Sequence, residues 1–397
     1  MILEVIIAII LGIVFGMITG LIPGIHTNLV SSFLITSLPF FLGFTEPFPL
    51  VVFIVTMSIS TVFLDFIPTT FLGAPNEDTS LSIQPAHELL LSGKANTAIF
   101  LSSLGAVIGT ILVFVVTPIL MFSLSAIYPF FEKMMPWVLF WICVLLIMGE
   151  KNTLLTITFF MISGFFGIAS LNLYINQPLL PMLTGLFGIS SLIFSINEKS
   201  TIPEQETKIE FDKKDLIKPT IASLIISPFC AFLPGLGGSQ ATIISSKVLG
   251  ELNRKQFLIM NGIINTILMG LSFSVLFIIQ KSRTGSAAAI SQITELTKSD
   301  IYLILLIMLI VAIISFFLTK FISIKVSNHI NNINYKKVSI TVISFLTLLT
   351  FLISGFQGFL VLIVSTLLGL TCQYYGIRKG ILMGCLLIPT ILYYLPF

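Results

Sequence analysis

The sequence predicts an all-α polytopic membrane protein built from two inverted-topology repeats, with broken helices, re-entrant polar loops and about 12–14 membrane segments. Three observations predict it. The 397 residues are 56% hydrophobic and only 9% charged, where a soluble domain carries about 25% charged residues. A proline-glycine break inside apolar sequence, Pro23-Gly24, recurs 211 residues later as Pro234-Gly235. The lysines and arginines also fall unevenly between alternate loops, as a fixed membrane orientation requires.

Composition excludes several classes. The mean hydropathy is +1.08, and apolar runs separated by short polar loops recur from end to end. The net charge of +3 comes from loop residues, and no basic patch interleaved with aromatics supports nucleic-acid binding. Cys143, Cys230, Cys372 and Cys385 lie within apolar segments and form no C-x-x-C pair, so they read as small buried hydrophobes. His26, His87 and His329 are far apart in sequence and suggest no metal cluster. No cofactor is expected, with Na⁺ or H⁺ entering only as a coupling ion. The N-terminal apolar run carries Glu4 and has no preceding Lys or Arg, so it reads as a first membrane helix rather than a signal peptide.

In chain order, segments are expected at 3–21, 29–44, 48–66, 95–118, 137–149, 153–170 and 179–196. Several fall short of the ~20 residues of a full span and read as half-helices or tilted pairs. Between 67 and 94 the chain is too polar for lipid (Pro68-Thr-Thr-Phe-Leu-Gly73-Ala-Pro75-Asn76-Glu77-Asp78). A re-entrant loop is expected there, because irregular backbone at membrane depth needs protein or a wet cavity around it. Residues 197–215 form a charged linker that divides a first repeat, 1–196, from a second, 216–397. The second half offers segments at 216–233, 236–250, 257–280, 301–323, 338–353, 356–374 and 380–396, with a polar interruption at Lys281-Ser-Arg283-Thr284-Gly285-Ser286.

At the offset of 211, Gly12, Gly16 and Gly20 map onto Ser223, Ser227 and Ala231, so a small residue recurs every fourth position in both copies. Near the ends of the halves, Phe166-Gly167 resembles Leu368-Gly369 at an offset of 202. Seven segments per half is an odd number, so the second copy must be inverted. Placing the linker in the cytoplasm puts 16 of the 20 Lys and Arg inside, leaving Lys133, Lys281, Arg283 and Lys298 outside. Both termini are then expected outside the cell membrane.

The small-residue stripe lets another helix approach closely. The Pro-Gly pairs that follow it break the helix, because proline removes a donor and glycine permits almost any geometry. Each can be a mere kink. Polar residues just past each break point instead to binding elements: His26, Thr27 and Asn28 after the first, Gly237, Gly238, Ser239 and Gln240 after the second. Bare amides at a half-helix start attract anions. Gly73 and Asn76 from the first polar loop, with Arg283, Thr284 and Gly285 from the second, complete the expected substrate-binding set. A guanidinium there suits a carboxylate, although an interfacial arginine can equally snorkel. Asp65, ionisable within an apolar segment, and Asp78 are the expected ion-coupling groups, joined by Asn28 and Ser239.

The Gly16-x-x-x-Gly20-x-x-Pro23-Gly24 stretch, the Gly73-Ala-Pro75-Asn-Glu-Asp-Thr-Ser loop running to Gly93-Lys-Ala, and Leu233-Pro234-Gly235-Leu-Gly237 together resemble the large membrane subunit of tripartite tricarboxylate transporters, the TctA family. The similarity is closest to its shorter archaeal-type branch, through Lys281-Ser-Arg283-Thr284-Gly285-Ser286-Ala-Ala-Ala, and it spans both halves. The chain departs from the pattern in being short and in carrying Ile-His-Thr-Asn after its first Pro-Gly. The resemblance implies a permease that imports carboxylates such as citrate on an ion gradient, with a small membrane subunit and an extracytoplasmic binding protein as partners.

The expected function is therefore a secondary transporter of small organic anions, di- or tricarboxylates, coupled to Na⁺ or H⁺ by alternating access. A non-transporting scaffold subunit is one rival. An intramembrane enzyme using Asp65 and Asp78 is another, opposed by the lack of H-E-x-x-H or any nucleophile–base pair in the sequence.

Overall fold

A computed structural model describes residues 2–22, 25–73, 79, 82–148, 150, 152–196, 203–233, 237–249, 252–329 and 335–395. Every regular element among them is helical. Among the described residues, eight helices are long and apolar enough to cross a membrane, by length and composition. The chain is a multi-pass membrane protein.

Helix α1 (Ile2–Leu21) carries the glycine stripe, and α4 (Pro47–Leu64) lies against it. A β-carbon on Gly12 would meet Thr56 at 2.6 Å, one on Gly16 would meet Ser60 at 2.5 Å, and one on Gly20 would meet Leu64 at 2.8 Å. The partner advances by four residues each time the glycine does, so the two helices run parallel along one seam. Within it the Thr19 and Thr61 hydroxyls stand 2.6 Å apart. Close backbone approach is what small residues supply in lipid, where no hydrophobic force drives helices together.

Between these parallel helices the chain returns through two short helices, α2 (Thr27–Thr36) and α3 (Leu38–Leu42). The expected single segment at 29–44 is thus divided, at Ser37 before Pro39, where a proline near a helix start fits and one in its interior does not. Beyond α4, Asp65 marks a step into α5 (Phe66–Leu72), which ends on Gly73 in the left-handed region (φ 57°). Residues 67–72, expected in a polar loop, are helical and mostly buried. α6 (Ile83–Leu91) follows.

α7 (Ala95–Met148) differs most from expectation, since the two segments foreseen at 95–118 and 137–149 form one helix of 54 residues. Straight, it would measure about 80 Å, against a hydrocarbon core of about 30 Å. Its interior prolines, Pro118, Pro129 and Pro136, are where such a helix bends. α8 (Thr153–Leu171), α9 (Leu179–Leu183), a π-helical turn (Thr184–Ile189) and α10 (Ser190–Ile196) complete the first half.

Residues 203–212 of the charged linker run without regular helix, held to the ends of the bundle by named bonds. Glu206 donates its amide to the Gly93 carbonyl at 2.8 Å. Gln205 accepts from the first amide of α7, Ala95, at 2.9 Å. Glu210 meets Lys94 at 2.9 Å and Lys255 at 3.7 Å. The Lys94 ammonium, hydrogen-bonded to it, holds the Glu210 carboxyl below its ordinary range, and the same bond holds Lys94 above its own.

The second half contains α11 (Ile217–Phe232), α12 (Gly238–Leu249), α13 (Arg254–Ile279), α14 (Gly285–Ile293), α15 (Lys298–His329), α16 (Tyr335–Tyr374) and α17 (Gly384–Tyr394). α16 kinks at Gly355 (φ 66°, ψ −164°), between the segments expected at 338–353 and 356–374. Helices of the two halves pack on one another. α7 lies along α13, with Gly105 against the Ile259 backbone and the Thr117 and Ser274 hydroxyls 2.9 Å apart. α15 lies on α4, with Ser315 donating to Ser60 at 3.1 Å. α8 packs on α17 through Gly167 and the Cys385 backbone, and α16 packs on the π-helical turn through Gly369 and the Leu186 backbone.

Candidate functional site

Two short helices begin side by side. α2 starts at Thr27 and α14 at Gly285, and the two are in contact. A β-carbon on Gly285 would collide with the Asn28 amide, so the absence of a side chain there is what admits Asn28. Thr284 caps α14, its hydroxyl accepting from the Ala287 amide at 3.1 Å and lying 3.0 Å from the Ser272 hydroxyl of α13. The next residue, Ser286, is wholly buried, with its hydroxyl 2.8 Å from that of Ser58 on α4. Asn28 is exposed and Arg283, Thr284 and Gly285 are half-buried above this floor. His26 is at the N-cap position of α2 with extended backbone, and its side chain does not cap.

The first amides of an α-helix have no partner within the helix. Two such ends side by side place several donors on one spot, and both dipoles favour negative charge there. Arg283 adds a fixed positive charge on the same loop as Gly285. The arrangement therefore draws together the residues after the first break and the second polar loop.

Asp65 stands at the Gly20 end of the α1–α4 seam. A β-carbon on Gly20 would stand 3.3 Å from the Asp65 amide. The Asp65 side chain is 5% exposed and accepts from the Thr79 hydroxyl at 3.1 Å, while Thr69 and Thr79 hydroxyls are 3.0 Å apart. Gly73 closes the short helix that carries Thr69. A carboxylate with two hydroxyls offers oxygen ligands to a small hard cation.

At the second break, Gly238 opens α12 and its carbonyl accepts from Thr242 at 2.7 Å. Thr242 in turn lies 3.2 Å from the Asn261 amide oxygen of α13. Pro23, Gly24, Asn76, Asp78, Pro234 and Gly235 lie outside the described residues, as do the side chains of Ser239 and Gln240.

Sequence reasoning passed over Ser58, Ser272 and Ser286 beneath the helix starts, Thr69 and Thr79 beside Asp65, and Asn261 and Asn265 on α13. Small hydroxyls are common in membrane helices and carry no signal alone. The asparagines were legible: two amides four residues apart in an apolar run occupy one helix face, and such groups bond across helices.

Comparison with known proteins follows the same direction. The profile of the tripartite tricarboxylate transporter TctA family matches residues 6–384. An uncharacterized protein of Methanocaldococcus jannaschii is 31% identical over 389 residues, covering 94% of each chain. No solved structure matches.

Proposed function

The chain belongs to the TctA family of tripartite tricarboxylate transporters, and from that premise we propose that it is a permease for small organic anions. The cargo is a di- or tricarboxylate, moved by alternating access and coupled to Na⁺ or H⁺. One observation carries this reading: the starts of α2 and α14 meet at Asn28 and Gly285, with Arg283 on the same loop. An anion of two or three charges needs several donors at once, and helix-start amides, hydroxyls and a guanidinium supply them.

We take Asp65, with Thr69 and Thr79, and Asp78 to serve the coupling ion. The two halves, 1–196 and 216–397, are read as inverted repeats joined by the 197–215 strap. Exchanged contacts support that reading. α7 takes α13 while α15 takes α4, and α8 takes α17 while α16 takes the π-helical turn and α10. The strap is assigned to the cytoplasm and both termini to the outside of the cell membrane. As in its family, the chain works with a small membrane subunit and an extracytoplasmic binding protein.

Thermal unfolding of the purified protein tests the proposal, run against di- and tricarboxylates, amino acids and sugars in Na⁺ or choline. A ligand at a hundred times its dissociation constant stabilises by about 2.7 kcal/mol. The expected result is a shift with carboxylates only, lost in Arg283→Ala. Failure of the folded protein to respond, together with failure to move any carboxylate in proteoliposomes containing its partner subunits, would overturn it.

A further inference from the structure

Asn261 of α13 faces Thr242 of α12, and its amide has bonding capacity its neighbours do not use. Asn261 is 0% exposed, and Asn265, one turn along the same face, is 5% exposed. From α12 comes Thr242, also 0% exposed. Its hydroxyl lies 2.7 Å from the Gly238 carbonyl and 3.2 Å from Asn261 Oδ1.

A hydroxyl has one proton. The shorter contact takes it, so Thr242 donates to Gly238. That leaves two lone-pair oxygens facing each other at 3.2 Å, while Asn261 Nδ2 has no hydrogen-bond partner. Turning the amide end for end removes both faults. Nδ2 then donates to Thr242 Oγ1, and Oδ1 turns to a place where no donor serves it. The two orientations have the same shape, and bonding decides between them. Three residues beyond Thr242 on α12, the Ser245 hydroxyl is likewise wholly buried and without a hydrogen-bond partner.

We propose that Asn261 Oδ1, turned away from Thr242, is a ligand of a monovalent cation held between α12 and α13, with the unpartnered Ser245 hydroxyl as the oxygen from α12. Neutral amide and hydroxyl oxygens match a singly charged ion, whereas calcium sites recruit carboxylates, and this set has none. The site stands on the helix that follows the second Pro-Gly pair, so its occupancy is tied to the geometry of that break. A role for the ion in coupling rests on the permease reading; its binding does not.

The test uses the purified full-length protein in detergent, unfolded by heat in NaCl, KCl or choline chloride at constant ionic strength. The expected result is a higher melting temperature in Na⁺ or K⁺ than in choline. Asn261→Leu removes that rise, and Asn261→Asp, which puts a carboxylate oxygen at the same place, keeps or enlarges it. No rise in the folded wild type would overturn the site, as would a rise that survives Asn261→Leu. Loss of the rise in Asn261→Asp, together with loss of carboxylate stabilisation, would assign the amide nitrogen to an anion instead. Should Asn261→Leu fail to fold, Asn261→Ala takes its place, and a rise that survives it overturns the site. A cation response that survives Asn261→Leu and vanishes in Asp65→Asn would move the ion to Asp65, overturning this site while leaving the permease reading intact. Cation binding as stated, with no solute moved in proteoliposomes containing the partner subunits, would instead sink the permease reading and leave the site.

Discussion

Asn28, at the start of one short helix, is seated on Gly285, the first residue of another, and any β-carbon at 285 would displace it. Gly285→Ala is therefore expected to push the Asn28 amide aside while leaving the buried Ser58–Ser286 contact in place. Carboxylate-dependent stabilisation should fall at least tenfold in apparent affinity with little change in the ligand-free melting temperature. An unchanged ligand response would remove this contact from the binding site.

The α1–α4 seam leaves no room for a side chain. Gly16→Leu would drive new carbon into Ser60, which itself accepts from Ser315. Overpacking of this kind costs about 1–3 kcal/mol. A lower melting temperature is expected, and a smaller drop for Gly43→Ala, where the nearest atom is the Phe40 carbonyl oxygen at 3.3 Å. Equal effects at the two positions would contradict the seam.

Lys379 is 9% exposed, and its ammonium donates to the Ser190 hydroxyl at 2.7 Å, the Ser191 hydroxyl at 2.6 Å and the Phe187 carbonyl at 3.2 Å. It ties the 3-10 turn Lys379–Met383 to the end of the π-helical turn. Lys379→Met removes three bonds to buried oxygens, while the Ser190 and Ser191 hydroxyls still donate to the Leu186 and Phe187 carbonyls, and each lost bond is worth about 0.5–1.5 kcal/mol. Thermal unfolding of the variant should show a clear loss, and a neutral result would mean the tie is dispensable.

The strap ion pair predicts a pH dependence. The folded Glu210 carboxyl is depressed by Lys94, so its contribution is present above the unfolded carboxylate value and is lost as pH falls through the lower folded value. Lys94 is raised by the same bond, so its contribution is complete below the unfolded lysine value and is lost as pH rises through the higher folded one. Both side chains are partly exposed to solvent, 29% and 43%, which keeps the effect small. Melting temperatures of the wild type and Glu210→Gln should differ slightly at neutral pH and converge in acid. A difference that grows as the pH falls would have the wrong sign.

Much of the architecture was legible because lipid imposes it. The segments expected at 3–21 and 153–170 are helices at Ile2–Leu21 and Thr153–Leu171, and the spacing of Gly12, Gly16 and Gly20 announced a close partner. The partner's identity was not legible, since any apolar helix could have faced that stripe, and only packing selects Thr56 and Ser60. Residues 119–136, left between two expected segments, contain Pro129 and Pro136, with Pro118 just before them. Inside a bundle, neighbouring helices can satisfy the groups a proline frees, and the helix continues through them.

The sequence by itself determined a multi-pass helical protein, its family, and which residue types could serve an anion. Hydropathy, small-residue spacing and Pro-Gly pairs are local properties, and local physics reads them directly. The tertiary structure decided which of those residues meet. It set Asn28 on Gly285, Thr79 on Asp65 and Thr242 beside Asn261. Those pairings join residues 14, 19 and more than 250 positions apart. Such contacts depend on how whole helices cross and on where the missing side chain of a glycine leaves space, which no stretch of sequence contains alone.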